Sequence, residues 1–236
     1  MTALITLSHG SRHPEAAASV EALTRAAGDQ VGVPAAAAHL EFSSPALGAA
    51  ACDLAAQGVR EAVVVPLLFT EGYHQRVDVP AALKSTAAES GLTLHRARGL
   101  GTGEDMAQLL AQRVPAGAQK VVVYSVGSSD ARANAVVAQL ARRVGELTGC
   151  AAEVSFATQP APAALTDTAT AHEAAHGEGA TREVVVPLFV SPGLLLDRLT
   201  KSSDNDQSSP HRTVLPPLGE ALAGIVARRF EEVSHA

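Results

Sequence analysis

The chain has 236 residues, 47% hydrophobic and 18% charged, and its formal net charge of −6 with no Lys/Arg run speaks against a nucleic-acid partner. Cys52 and Cys150 lie far apart and outside any CxxC, which excludes four-thiolate iron–sulfur ligation within one chain and fits reduced thiols of a cytoplasmic protein. The apolar run at 3–7 is too short for a membrane span or a signal-peptide core, so a soluble protein with no membrane partner is expected.

In chain order, short β-branched runs alternate with Ala-rich stretches of helical character. Strands are expected at 4–8, 36–41, 62–68, 92–97, 120–125, 152–156, 183–190 and 213–215. Helices are expected between them, among them 14–28, 45–57, 130–148 and 219–233, while the polar 201–210 reads as a loop. Strand–helix alternation this regular implies right-handed crossovers and an α/β fold with mostly parallel sheets flanked by helices.

The chain also repeats itself. Leu7-Ser8-His9-Gly10-Ser11 resembles Tyr124-Ser125-Val126-Gly127-Ser128, and Val63-Val64-Val65-Pro66-Leu67 matches Val184-Val185-Val186-Pro187-Leu188. Two similar four-stranded halves follow, 1–116 and 117–236, with a cleft expected between them.

Ligands of open parallel sheets bind beyond the carboxyl ends of the strands. His9 ends the first strand, and Glu41 is expected to end the second, before Phe42-Ser43-Ser44-Pro45. His74 follows the third strand through Phe69-Thr70-Glu71-Gly72-Tyr73. One rim therefore receives His, Glu and His. The second half keeps the turn glycine but has Val126 in place of His9 and Leu195 opposite His74, so the imidazoles read as functional additions to the first half. His39, inside the second strand, reads as a satisfied interior imidazole, and His13 and His95 as surface residues.

Two imidazoles suit Fe²⁺, Co²⁺, Ni²⁺ or Zn²⁺ and leave coordination positions open, as an ion that must be passed on requires. Imidazole also titrates near neutrality, so the same group can take up a proton. Holding a metal while removing protons is what metal insertion into a ring needs. Arg12, expected in the first helical turn, and Arg76 are candidate partners for substrate carboxylates.

These residues resemble a known family. Leu7-Ser8-His9-Gly10-Ser11-Arg12, Glu41-Phe42-Ser43-Ser44-Pro45 and the run from Val65 through Gly72-Tyr73-His74 to Asp78-Val79-Pro80 are similar to the class II chelatases, the sirohydrochlorin cobalt- and ferrochelatases of the CbiX/SirB type, in their two-domain form. The resemblance implies that sirohydrochlorin receives Co²⁺ on the way to cobalamin or Fe²⁺ on the way to sirohaem. It implies that His9 is proton acceptor and metal ligand and His74 the second ligand. Glu41 and the loop Phe69, Thr70, Glu71, Gly72, Tyr73 and His74 would face the tetrapyrrole. No cofactor beyond the substrate metal is implied, and the half at 117–236, lacking the His pair, would hold no second centre. A monomer or a homodimer would serve.

Three other readings compete. A metal or tetrapyrrole carrier without turnover would use the same His pair. The turn His9-Gly10-Ser11-Arg12 also suits a phosphoryl-transfer enzyme, but no Walker lysine accompanies it. His172-Glu173-Ala174-Ala175-His176 is a literal HExxH, yet Gly177 ends the stretch at once and no HxxGxxH follows, so it reads as a surface helix or a peripheral metal-collecting patch.

Overall fold

The computed structural model describes residues 1–70, 79–158, 182–205 and 212–234. The chain divides into two compact units, Met1–Thr102 with Leu218–Ala236, and Gly103–Pro217.

In the first unit β1 (Thr2–Ser8), β2 (Ala35–His39), β3 (Glu61–Pro66) and β4 (Thr93–Arg96) form a sheet in the order β2-β1-β3-β4, every neighbour parallel. Parallel strands covered on both faces need continuous apolar runs, and β1 is buried from Ala3 to Ser8. On one face Ile5, Leu7, Ala38 and Val64 pack with Leu47, Ala50 and Leu54 of α2 (Leu47–Ala56) and Val79 of α3 (Val79–Ser90). Alternation turns Thr6 and Ser8 to the opposite face, where the Thr6 hydroxyl meets that of Thr24 on α1 (Ala16–Val31).

The second unit repeats this plan. Strands β5 (Lys120–Ser125), β6 (Ala151–Phe156), β7 (Glu183–Pro187) and β8 (Arg212–Val214) are parallel in the order β6-β5-β7-β8. Its helices are α4 (Glu104–Arg113), α5 (Ala131–Thr148) and α6 (Leu194–Asn205). Tyr124 and Phe189 stack at 5.7 Å between centroids within a cluster with Val122, Val185 and Leu196. The registers coincide as well: Ser8 pairs with His39 as Ser125 pairs with Phe156. The α/β class and the duplication therefore stand as the sequence implies.

Three local expectations change. Strand β2 stops at His39, because beyond it Leu40 and Glu41 turn to donate their N–H groups to Ser8 O and His9 O, both at 2.9 Å. Helix α1 begins only at Ala16, so Arg12 lies in the preceding turn and not on the helix, where Pro14 supplies no N–H. Helix α6 runs to Asn205, into the polar stretch expected as loop, because Leu195, Leu196 and Leu199 anchor its first turns on the core and helix propagates easily from a fixed turn.

The compact units do not follow the repeat boundary near 116. The last helix, α7 (Ala223–Ser234), preceded by a 3-10 turn at Gly219–Leu222, belongs to the first unit, whereas α4 belongs to the second. Helix α7 buries Ile225, Val226 and Phe230. Its fully buried Arg229 donates from Nε to Gly99 O at 3.1 Å and from Nη2 to Leu100 O at 2.7 Å, satisfying two carbonyls beyond β4. Arg98 and Glu232 add a bidentate pair, both contacts 2.7 Å. In the second unit, Arg143 of α5 makes a matching fork with Glu104 of α4, at 2.8 and 2.9 Å. Among the described residues no helix is long and apolar enough to cross a membrane.

Candidate active site

The turn after β1 is fixed from two directions. Ser8 Oγ accepts the Gly10 N–H at 3.1 Å, which curls the chain immediately after His9. From the other side, Glu41 N–H holds His9 O at 2.9 Å. Ser43 then laces the two turns together: its Oγ accepts the Ser11 N–H at 3.1 Å and donates to Ser11 O at 3.0 Å. Gly10 sits at φ +92°, and a Cβ there would lie 1.7 Å from Glu41 O. Only glycine permits so close an approach of the two turns.

His9 is half-buried at the carboxyl edge of β1, and Glu41 is exposed beside it. Phe42 completes this corner, and sequence alone assigns it no role. Its backbone is left-handed at φ +58°, a conformation costly for a bulky residue, and its side chain is 53% exposed. The ring meets His9 edge-to-face, centroids 5.8 Å apart at 80°, and the Arg12 guanidinium lies 4.7 Å over it. The signal was available: Phe42 is one of only five phenylalanines in the chain, placed beside Glu41 in a polar turn.

After β3 the chain reaches the same edge, with Leu68, Phe69 and Thr70 half-buried there. His74 lies outside the described residues, as do Glu71, Gly72, Tyr73 and Arg76, and likewise His172 and His176. Among the described residues no three His, Cys, Asp or Glu side chains gather as a metal set. Cys52 and Cys150 are free thiols.

His39 departs from its expected satisfied state. It is 2% exposed; Nδ1 pairs with Ser8 Oγ at 2.7 Å, but buried Nε2 has no hydrogen-bond partner among the described residues. Burial disfavours the imidazolium and lowers its pKa below the usual 6.5, opposed by the Glu21 carboxylate.

The second unit builds the same turn without an imidazole. Gly127 has φ +86°, and Val126, in the place of His9, is 41% exposed. Asn134 of α5 holds Ser128 as Ser43 holds Ser11, but from the same segment: Oδ1 accepts the Ser128 N–H at 2.9 Å and Nδ2 donates to Ser128 O at 2.8 Å. The turn is thus a property of the fold, while the imidazole on it is not.

The CbiX family model matches both repeats, over residues 3–116 and 120–233. The chain belongs to the CbiX family. A sirohydrochlorin cobaltochelatase of Priestia megaterium is 26% identical over 210 residues, covering 84% of this chain and 67% of that protein. The structure of SirB from Bacillus subtilis with Fe³⁺ superposes with a TM-score of 0.78 at 19% identity, covering 98% of this chain and 94% of that one. The sirohydrochlorin chelatase SirB from Bacillus subtilis subspecies spizizenii, in complex with cobalt, gives 0.77 at 19% identity over the same shares, 98% and 94%. At that identity the two structures establish the shared CbiX fold.

Proposed function

We propose that this CbiX-family chain is a sirohydrochlorin chelatase that inserts Fe²⁺ or Co²⁺ into the macrocycle, with His9 as its central group. The observation that carries the reading is the duplicated turn: one fold element is built twice, and only the first copy presents an imidazole. The cobaltochelatase relative and the iron- and cobalt-bound SirB structures support the choice of substrate.

Insertion exchanges the two pyrrolic N–H protons of the ring for M²⁺, leaving the charge of the macrocycle unchanged and releasing two protons. A neutral imidazole suits both roles in turn: its one free lone pair ligates a borderline divalent ion, and once the ion has passed to the ring the same nitrogen can take up a proton. In this reading His9 and His74 hold the ion while ring nitrogens replace them stepwise, so the ion is never bare. Glu41, exposed at the rim, carries protons away or steadies the ring. Phe42 offers an aromatic surface for the flat macrocycle, and Arg12, Arg76 and the loop around Phe69, Thr70, Glu71, Gly72 and Tyr73 meet its faces and carboxylates. Phe42 stands edge-to-face with His9, so an aromatic surface lies beside the imidazole that would hold the ion.

Spectrophotometric metallation of sirohydrochlorin with Fe²⁺, Co²⁺ and Ni²⁺ tests the proposal. Many equivalents should be metallated per chain, and His9→Ala and His74→Ala should each lose at least about tenfold in rate. Stoichiometric binding without turnover would instead identify a carrier.

A further inference from the structure

We propose that His39 is a positioning residue for the His9 centre: by holding Ser8 Oγ it fixes the hydroxyl that accepts the Gly10 N–H, and so steadies the turn on which His9 is displayed. The inference rests on the chelatase reading above and adds to it a residue that does not touch the substrate.

The chain of contacts is short, buried at His39 and Ser8 and half-buried at Gly10. His39 Nδ1 lies 2.7 Å from Ser8 Oγ, Ser8 Oγ lies 3.1 Å from the Gly10 nitrogen, and Gly10 follows His9 directly. Both side chains face away from the α2–α3 core, on the sheet face that carries Thr6 and its partner Thr24 on α1. A hydroxyl in a narrow interior can rotate, so a Ser8 without a fixed partner could trade its bond to Gly10 for another acceptor. The imidazole removes that freedom.

Packing alone does not account for a histidine here. It is 2% exposed and leaves Nε2 without a hydrogen-bond partner among the described residues, a cost an apolar side chain would avoid. The second unit shows what the fold accepts otherwise: at the same register beside Ser125 stands Phe156, which offers no hydrogen bond, and the turn there carries Val126. The imidazole thus accompanies the unit that presents His9 and is absent where nothing needs aiming.

The test replaces His39 by the residue that the duplicate unit uses. His39→Phe should melt within a few degrees of the parent while kcat for sirohydrochlorin metallation falls at least about tenfold, with KM little changed, as for loss of a partner that orients a metal-ligating histidine. His39→Asn, whose amide occupies the Nδ1 position, should recover most of that loss, whereas His39→Gln, which mimics only Nε2, should not. Should the larger ring fail to fit, Ser8→Ala carries the same test: it should show the same loss of kcat, and Ser8→Ala combined with His39→Asn should be no worse than Ser8→Ala alone. Parental kcat in His39→Phe or in Ser8→Ala, or equal losses for Asn and Gln, overturns the inference. A parent protein that turns over no sirohydrochlorin overturns the chelatase reading instead, so the two failures are separable.

Discussion

Gly10→Ala isolates the close approach of the two turns around His9. The added methyl would lie 1.7 Å from Glu41 O, so the turns must part by about 1.7 Å before contact relaxes to an ordinary 3.4 Å. Misplacing a catalytic group by about 1 Å costs on the order of 100-fold in rate, equivalent to roughly 2.7 kcal/mol of barrier. The expected outcome is therefore a loss of at least about 100-fold in kcat, read from the absorbance change on metallation at saturating metal. Gly32 supplies the control, since its φ is +67° but nothing lies within 4 Å of where an added methyl would stand. Gly32→Ala should cost only the left-handed backbone penalty, about 1–2 kcal/mol of stability, and leave kcat unchanged. Gly127 is the counterpart in the other unit, where the nearest atoms are Thr158 Oγ1 at 2.7 Å and Phe156 Cβ at 3.0 Å. Gly127→Ala should keep kcat within about twofold, because no imidazole rides on that turn. The reasoning is refuted if folded Gly10→Ala stays within about threefold of the parent, or if Gly127→Ala is equally impaired.

Arg229→Ala should destabilise the chain by about 3–5 kcal/mol in urea unfolding, since it strips buried Gly99 O and Leu100 O of charged donors; a loss under about 1 kcal/mol would contradict this account. Phe42→Ala should raise the KM for sirohydrochlorin about 2- to 12-fold at constant kcat, the range of about 0.5–1.5 kcal/mol for an aromatic contact, and unaltered KM would remove Phe42 from the binding surface. For His39, burial depresses the folded-state pKa, so the folded protein binds fewer protons than the unfolded one. The stability due to keeping this ring neutral is full above pH 6.5, its unfolded value, and is lost as pH falls from there through the lower folded value. His39→Phe should therefore unfold with a shallower dependence on pH below 6.5, and identical slopes in the two proteins would exclude the titration of this group.

The fold class could be read because strand and helix periods alternate without interruption and because Val-Val-Val-Pro-Leu occurs twice at matching places. The rim could be read because strand ends are fixed by such runs. What escaped was geometry imposed across the chain. Glu41 looks like the end of β2 from its apolar approach, yet its N–H is claimed by His9 O, thirty-odd positions earlier in sequence, and the strand stops at His39. Arg12 precedes a convincing helix, but the Ser11–Ser43 lace holds that stretch in a turn. His39 could be recognised as interior from its strand, though not as half-satisfied, since its one bond depends on the neighbour across the sheet. Phe42 was visible only as a residue type; its exposure follows from a positive φ that no local pattern announces.

Arg229 and its helix have a practical corollary for anyone dissecting the molecule. A fragment cut at residue 116 would keep α4, which belongs to the other unit, and would leave uncovered the surface that Ile225, Val226 and Phe230 occupy. A minimal version of the His9-bearing unit would instead end near Thr102 and be spliced to a segment starting at Leu218. The repeat boundary and the boundary of the compact units fall at different places in the chain, so isolating the His9-bearing unit takes a spliced polypeptide and not a stop codon.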